Sequence, residues 1–469
     1  MKEYVRNTNN MKIILIILAC LTYLASDLSA DPNTMLSPKI APPTMAPSED
    51  VLPFFGSVRV NRMILKNGLR ILVVEDHSSP TFAYQTWFKV GSRNEVSGKT
   101  GLAHLFEHMM FKETKTMKEG EFDRLLEGVG AEGENAFTSR DYTAYIQELP
   151  SAQLELIMKA ESDRMTNIIV DEKAFKTERE VVQNERRYRN ENNPDGIMEQ
   201  ELFRLGFKKH PYSWPVIGYQ QDLEQMTADD AFDFYRKHYS PNQATIVVVG
   251  NVQTQRVREL AEKYYGDLIP HPSQPVQNTL EPSRKKAASK EMKLNIQVEK
   301  VLLGFPSPAF NHVDFPVFSM IKVLLAEGKK NRLHDALVET GIASSIGVYD
   351  LEDKDPSLFI IMANLQKGRR ATQAEAVILK ELKKLSDQPI SPAELERAKN
   401  KNRFSFYKNL ESNYEKAQFI GSYESLGDDF QSGLQLQRKI GDVTEADIHR
   451  VLRKYFTPNL RTTIRGLKK

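Results

Sequence analysis

The sequence is poor in cysteine and has almost no excess charge. Cys20 is the single cysteine among 469 residues, so the domains must be stable without internal disulfides. The 64 basic and 62 acidic residues leave a formal net charge of +2, which gives no reason to expect nucleic acid as a partner. A composition of 40% apolar and 27% charged residues is ordinary for a globular protein. The length exceeds what one core usually supports and predicts two domains of about 200 residues.

The sequence also lacks a long apolar run at its N-terminus. The run over residues 13–25 falls short of the ~20 residues that span a bilayer. Small residues follow, and Leu28-Ser29-Ala30 is an acceptable cleavage site, so we predict that residues 1–30 are an export signal. We expect a periplasmic location. An uncleaved anchor and a lipid anchor through Cys20 stay open as alternatives.

Two segments rich in proline and serine interrupt the regular patterns. Residues 31–57 have no periodicity and are predicted to be a flexible lead-in. Residues 271–289 have a similar composition and are predicted to be a linker. Together they predict an N-terminal domain over 58–270 and a C-terminal domain over 290–469.

A repeated pattern spans the predicted linker. Residues 227–246 and 444–463 match at a constant offset of 217, including Thr, Asp, Arg-Lys, Pro-Asn and Thr at equivalent places. Each copy has the pattern of a helix, a Pro-Asn turn and a strand, and each lies near the end of its half. We therefore predict that the two domains are homologous copies of one α+β unit.

The strongest chemical signal is the sequence His104-Leu105-Phe106-Glu107-His108. Side chains four residues apart share a helical face, so both imidazoles can reach one metal ion. Two neutral imidazoles and a carboxylate leave one zinc position open for water, and Glu107 stands beside them as a general base. This H-x-x-E-H order is a known catalytic pattern. The alternative, simple core histidines on an apolar helix, leaves buried polar groups without partners at a cost of several kcal/mol.

A charged helix predicted over 171–193 offers the third ligand. Glu178 and Glu185 lie seven residues, or two turns, apart and so share a face. The alternative is a set of solvated charged side chains, and we adopt it for Glu180, Glu191 and Glu199.

With these residues, the chain resembles the insulinase and pitrilysin family, which includes the mitochondrial processing peptidases. That family places a ligand Glu about 76 residues after H-x-x-E-H, and here 76 residues separate His108 from Glu185. The resemblance implies that His104, His108 and Glu185 bind one zinc ion and that Glu107 activates water. It also implies a supporting role for Glu178, and an α+β fold of two homologous domains, each an antiparallel sheet flanked by helices.

Further motifs carry the same resemblance. Gly101-Leu102-Ala103 precedes the histidines, and His210-Pro211-Tyr212 is followed by Gly218. The run from Asn135 to Arg140 is similar to the family's substrate-binding edge strand. The resemblance implies that an extended peptide pairs with four of these residues, Asn135, Ala136, Phe137 and Thr138.

The second half has lost the metal motif. No H-x-x-E-H occurs after residue 289, and at an offset of 218 Arg403 falls where Glu185 would be. The resemblance implies that Arg332 holds a substrate carbonyl. The family pattern has a tyrosine directly after Ala343, however, and here Ser344 stands in its place.

The resemblance implies a zinc-dependent endopeptidase acting on peptides or unfolded polypeptides. Because half-length relatives pair to enclose a chamber, we expect a dimer. The loss of the tyrosine favours a heterodimer whose other chain supplies the Arg and Tyr, with a homodimer as the alternative. A non-catalytic scaffold or regulatory subunit, and a metal-binding assembly factor, stay open as alternative functions. The natural substrate is not specified by the sequence.

Overall fold

The computed structural model describes residues 47–272, 279–328 and 330–469, which belong to one compact unit. Within those ranges no helix is both long and apolar enough to cross a bilayer. The predicted export signal, residues 1–30 with Cys20, lies outside the described residues.

The first half forms a seven-stranded sheet in the order β1-β2-β3-β7-β4-β6-β5. Its strands are β1 Ser48–Pro53, β2 Arg59–Ile64, β3 Arg70–Glu75, β4 Thr81–Phe88, β5 Glu132–Thr138, β6 Thr143–Pro150 and β7 Ala244–Gly250. Its helices are α1 Leu102–Met109, α2 Glu121–Gly128, α3 Leu154–Asn167, α4 Glu172–Arg186, α5 Pro194–Gly206, α6 Gln220–Gln225, α7 Ala228–His238 and α8 Thr254–Tyr265.

The second half forms a five-stranded sheet in the order β10-β11-β9-β12-β8. Its strands are β8 Ala288–Leu294, β9 Lys300–Ser307, β10 Ala343–Asp350, β11 Ser357–Leu365 and β12 Thr462–Lys468. Its helices are α9 Phe315–Ala326, α10 Ala371–Asp387, α11 Pro392–Lys408, α12 Asn413–Gly427, α13 Gln431–Asp442 and α14 Glu445–Tyr455.

The predicted α+β class and the predicted duplication are confirmed. Thr227 and Asp230 form a capping box at the start of α7, and Thr444 and Asp447 form the same box at the start of α14. Each helix leads through a short proline turn into a central strand, β7 or β12. The sheets depart from the prediction in one respect, because each contains one parallel pair, β3 with β7 and β8 with β12.

The predicted boundaries need two corrections. The lead-in over 31–57 was expected to have no regular structure, but Ser48–Pro53 pairs along the whole of β2. An ion pair between Asp50 and Arg62 joins the two strands at 2.9 Å. The predicted 271–289 linker ends two residues too late, because β8 of the second sheet already begins at Ala288.

The two halves exchange helices. The second half's α12 packs on β4 and β7 of the first sheet, and the first half's α5 packs on β8, β9 and β12 of the second sheet. Each sheet is therefore covered on one face by its own half and on the other by its neighbour. This double cover explains why every residue of β7, an almost unbroken Val and Ile run, is buried.

Polar contacts support the same interface. Lys416 on α12 bonds Asp76 of the first half at 2.6 Å. Tyr212 donates to Asp141 at 2.7 Å and accepts from the backbone N–H of Asp355 at 3.1 Å. His210 lies 3.0 Å from the Asp355 carboxylate, so the His-Pro-Tyr motif ties the first half to the loop before β11.

Contact between α12 and the first sheet requires a glycine at position 421. A Cβ atom on Gly421 would lie 2.1 Å from Nε1 of Trp87, which is closer than packed atoms allow. We expect Gly421→Ala to destabilise the protein by about 1–3 kcal/mol, as overpacking of a core does. The measurement is thermal or urea unfolding of the purified variant.

Gly441→Ala is the matched control, because a Cβ at this α13 position meets nothing within 4 Å. It should leave stability unchanged or raise it by up to about 1 kcal/mol, since alanine favours a helix over glycine. Equal stability of the two variants would contradict the close packing of α12 on the sheet.

Candidate metal centre

The candidate centre is built on two helices that pack against each other, α1 and α4. His104 and His108 lie one turn apart on α1, and their ring centres are 5.0 Å apart. Glu185 on α4 places Oε2 at 3.7 Å from Nε2 of His104 and 3.4 Å from Nε2 of His108. One donor atom from each of the three residues lies within 4.8 Å of the others.

These separations fit a small divalent ion. Zinc ligands at about 2.0–2.1 Å in a tetrahedron are about 3.3–3.4 Å apart, close to the two distances from Glu185. Every residue of α1 except His108 is buried, so the imidazole of His104 points between packed elements rather than into bulk water. The described residues therefore hold three convergent donors suited to zinc, with the remaining coordination positions left to water or substrate.

Both outer sides of this ligand set are held by further charged residues. Glu178 lies 3.4 Å from Nδ1 of His108 and accepts from Lys112 at 2.6 Å. Arg189 bonds the other oxygen of Glu185, Oε1, at 2.9 Å. Such partners fix the orientation of metal ligands, and Lys112 and Arg189 are additions that the sequence did not indicate.

The two histidines differ in electrostatic environment. Burial lowers the pKa of His104 to about 4, so this imidazole is neutral at neutral pH. Burial also opposes protonation of His108, but the hydrogen bonds with Glu178 and Glu185 outweigh it and raise the pKa to about 9. Without a metal ion His108 is therefore protonated at neutral pH, and metal binding must displace a proton.

Glu107 connects the centre to the edge of the first sheet. Its Oε2 accepts from Thr138 Oγ1 at 2.6 Å, and Thr138 ends the edge strand β5. Burial raises the pKa of Glu107 against the opposing effect of this hydrogen bond. A raised pKa makes the carboxylate a better proton acceptor, which suits a general base.

The remaining predicted peptide-binding residues lie on the same strand. Asn135, Ala136 and Phe137 pair through β5 with β6 on one side only, and the other side of β5 has no strand partner in the described sheet. Thr138 is predicted to contact the peptide, and in the structure its hydroxyl also donates a hydrogen bond to Glu107. The edge position leaves backbone groups available to an extended peptide.

The start of α1 depends on a residue that the sequence did not single out. Gly101 adopts a φ of 94° and has no side chain to cap the helix. Glu95 instead accepts from the backbone N–H of Gly101 and of Ala103, both at 2.9 Å. The sequence offered one signal for this role of Glu95. The helix has a glycine rather than a polar residue at its N-cap, and Glu95 lies six residues before that glycine. Gly101 also contacts Gly218 so closely that a Cβ on either would strike backbone atoms.

Arg332 and Ser344 lie apart from these residues. Arg332 forms two hydrogen bonds of 2.8 Å with Glu394, in the first turn of α11. Ser344 lies at an irregularity of the edge strand β10 and donates to the carbonyl of Asn364 at 3.1 Å. The structure therefore engages both side chains within the second half.

The equivalent of Glu185 in the second half also differs from the prediction. Glu185 lies fourteen residues after Asp171, the N-cap of α4, and Ser405 lies fourteen residues after Ser391, the N-cap of α11. Counting from the helix starts thus pairs Ser405 with Glu185, whereas the offset of 218 pairs Arg403 with it, and Arg403 is exposed. A serine at this place also fails to complete a set of histidine and carboxylate ligands.

Comparison with known proteins places the chain in a family. Residues 70–219 match the model described as Insulinase (Peptidase family M16), and residues 225–402 match Peptidase M16 inactive domain. The zinc protease PqqE of Helicobacter pylori is 33% identical over 405 residues, which is 85% of this chain and 91% of that protein. The chain belongs to the insulinase family, peptidase family M16, as a half-length member with two domains.

Solved structures agree with this assignment. The crystal structure of a protease from Helicobacter pylori superimposes with a TM-score of 0.83 at 31% identity, over 90% of this chain and all of that one (100%). The periplasmic protease PqqL from Escherichia coli has a TM-score of 0.72 at 19% identity, over 90% of this chain but 48% of its own. The two-domain unit described here thus matches the fold of about half of that longer chain.

Proposed function

We propose that this protein is a zinc-dependent endopeptidase that cleaves extended peptides or unfolded polypeptides. One observation supports the proposal: the candidate metal ligands, the candidate general base and an open sheet edge lie next to one another. His104, His108 and Glu185 converge, Glu107 lies beside them, and Thr138 links Glu107 to an open sheet edge.

Zinc is the proposed metal because imidazole and carboxylate are ligands that it accepts and because relatives are named zinc proteases. The chemistry that zinc supplies when bound is Lewis acidity, which polarises a carbonyl group and lowers the pKa of water. The ligand residues fit it, and Glu178, Lys112 and Arg189 keep those ligands oriented.

The chain's own residues then perform binding and proton transfer. The peptide pairs in extended form with the free edge of β5, which selects backbone rather than particular side chains. Glu107 takes the proton of the attacking water and passes it to the leaving amine. Because a folded protein does not offer a free extended segment, this binding mode favours short or unfolded substrates.

A second candidate is a subunit without catalytic activity. The match of residues 225–402 to the model described as Peptidase M16 inactive domain, together with Ser344, favours it. The convergent residues of the first half favour the catalytic function. Measuring peptide cleavage with and without a zinc chelator separates the two candidates.

Substitutions on α1 and α4 test the proposal. His104→Ala, His108→Ala and Glu185→Gln should each lose the single zinc ion, because each removes one of three ligands. Glu107→Gln should keep zinc but lower the cleavage rate by at least ~10², because it removes the proton acceptor. Zinc content and turnover of an unfolded test peptide are the measurements.

Two further variants on α4 separate support of the ligands from general charge effects. Glu178→Gln should weaken zinc affinity or rate by ~10–100-fold, because it contacts His108. Glu180→Gln, an exposed position on the same helix, should change neither. Full zinc in all three ligand variants, or normal turnover of a metal-loaded Glu107→Gln protein, would refute the proposal.

We also propose that the chain acts as a dimer, as the zinc-bearing partner of a related chain. The engagement of Arg332 with Glu394 and the presence of Ser344 support this, because the second half then lacks a ready pair of side chains to hold a substrate carbonyl. Such an oxyanion contact is worth about 2.7–4 kcal/mol. We expect the isolated chain to have low activity that rises when a related chain is added. High activity of a pure homodimer, unchanged by any related chain, would contradict it.

Export to the periplasm is proposed from the apolar run over 13–25 and the site after Ala30. N-terminal sequencing of the protein recovered from its native cells is the test. Asp31 as the first residue is expected. A chain that begins upstream, or at a lipidated Cys20, would contradict it.

A further inference from the structure

A groove of about 740 Å³ lies at the surface of the second half, apart from the metal centre. Its walls are α11, α13 and residues 53–56, the end of β1 with the turn that follows it. Its volume lies in the range of ligand-binding sites. None of its lining residues belongs to the metal centre or to the edge strand β5, so the proposed peptide hydrolysis does not account for it.

Aromatic side chains form an apolar part of the groove. Phe406 and Tyr407 line it from α11, with ring centres 5.1 Å apart, and Phe54 and Phe55 line it from the turn after β1, with ring centres 4.7 Å apart. Phe419 joins the two pairs, because its ring centre lies 5.6 Å from that of Phe54 and 5.8 Å from that of Phe406. Tyr407 is 54% exposed, so part of this aromatic surface is available to a binding partner.

Positive charge borders these aromatic side chains. Lys399, Arg403 and Arg438 line the groove, and Asp442 is the one carboxylate among its described lining residues. None of the three cations forms an ion pair or a side-chain hydrogen bond with another residue that the structure describes. Arg403 and Arg438 are exposed. Because a guanidinium group binds a carboxylate through two parallel hydrogen bonds, both arginines are free to bind carboxylates of another molecule.

The outer face of α11 continues the same combination of side chains. Phe404 is 63% exposed and lies three residues before Tyr407, so the two rings are neighbours on the helix surface. Arg397 and Lys408 are exposed and form no ion pair with a described residue, and Glu396 is the one exposed carboxylate of this helix. Exposed cations alone are ordinary, but arginine beside exposed aromatic rings is a combination enriched at protein interfaces.

The charge and the shape of the groove favour one kind of occupant. Three cations against one carboxylate complement an anionic group, and the rings complement apolar groups beside it. Residues 31–46, which precede the described part of the chain, contain one acid and one base and so do not complement this charge. A bilayer surface is broad and does not enter a concave groove, whereas an extended peptide segment does.

From these observations we infer that the groove binds an acidic segment of a partner protein. The carboxylates of that segment pair with Lys399, Arg403 and Arg438, and its apolar side chains pack on Phe406 and Tyr407. The groove shares no residue with the metal centre or with β5, so the bound segment lies outside the site of cleavage. The inference does not rest on the proposed hydrolysis, and binding alone tests it.

Fluorescence anisotropy with three labelled peptides provides the test. The first peptide is a short run of glutamates around a single phenylalanine. The second has glutamine in place of each glutamate, and the third has serine in place of the phenylalanine. The measurements use the full chain with Glu107→Gln, so that no peptide is consumed. We expect saturable binding of the first peptide, at least ~10-fold tighter than the second and tighter than the third, because only the first offers carboxylates and an aromatic ring.

Substitutions of exposed residues locate the binding. A double variant with Arg403→Gln and Arg438→Gln should weaken binding of the first peptide at least ~5-fold, because two ion pairs are lost. Tyr407→Ser should also weaken it. Lys380→Gln is the matched control, since this lysine on α10 is exposed and forms no ion pair with a described residue, and it should change nothing. The substituted side chains are exposed, so the variants keep the fold.

Several outcomes would overturn the inference. Equal binding of the glutamate and glutamine peptides, or binding that the double variant leaves unchanged, would exclude an acidic segment from this groove. Binding of phosphatidylglycerol vesicles without binding of the glutamate peptide would assign the cations to a membrane surface. If the glutamate run lowered the KM of a cleaved test peptide, and the double variant abolished that effect, the groove would belong to the substrate rather than to a partner protein.

Discussion

The structure depends on the packing of one helix from each half on the sheet of the other. Each sheet has a face that its own helices leave bare, and α5 and α12 cover those two faces with apolar side chains. Burial of these faces removes a large apolar area from water and makes the two halves one cooperative unit. The first sheet, which supports α1 and β5, is then packed on both sides, and this packing holds the residues of the metal centre in position.

Helix α1 places polar functional side chains inside an apolar core. Its buried residues include His104 and Glu107, which would be costly to bury without partners. Glu185 lies 3.7 Å from Nε2 of His104, and Thr138 at the sheet edge donates to Glu107, whereas Nδ1 of His104 has no hydrogen-bond partner among the described residues. Glu95, outside the helix, accepts from the backbone at the start of α1. The centre is therefore a property of several elements at once rather than of a single motif.

The sequence allowed much of this to be predicted, where the signal is local or repeated. The pairing of His104 with His108 follows from helical periodicity, the resemblance to the insulinase family supplied Glu185, and the structure brings the three together. The repeat rests on capping residues and turns, which are short-range features, and it predicted the duplicated fold.

Other features could not be predicted, because they depend on contacts between distant segments. Nothing local to α5 or α12 shows that each packs on the other half's sheet. Glu95 caps α1 through a turn whose geometry the sequence does not reveal. Lys112, which follows α1, meets Glu178 on α4, and that contact depends on how the two helices pack. The offset of 218 pairs Arg403 with Glu185, whereas counting from the helix N-caps pairs Ser405 with it, so a single offset does not describe the whole repeat. The strand at Ser48–Pro53 was missed because its stability comes from pairing with β2 rather than from its own composition.

The exchange of helices also bears on the origin of the chain. A single copy of the repeated unit, existing alone, would expose one whole face of its sheet. Such a unit could have been stable only as a pair of identical molecules, each lending its helix to the other, which is domain swapping between protomers. With two copies in one chain the exchange is intramolecular and independent of protein concentration. The second copy can then cover the first sheet without metal ligands of its own, because that cover requires only a helix.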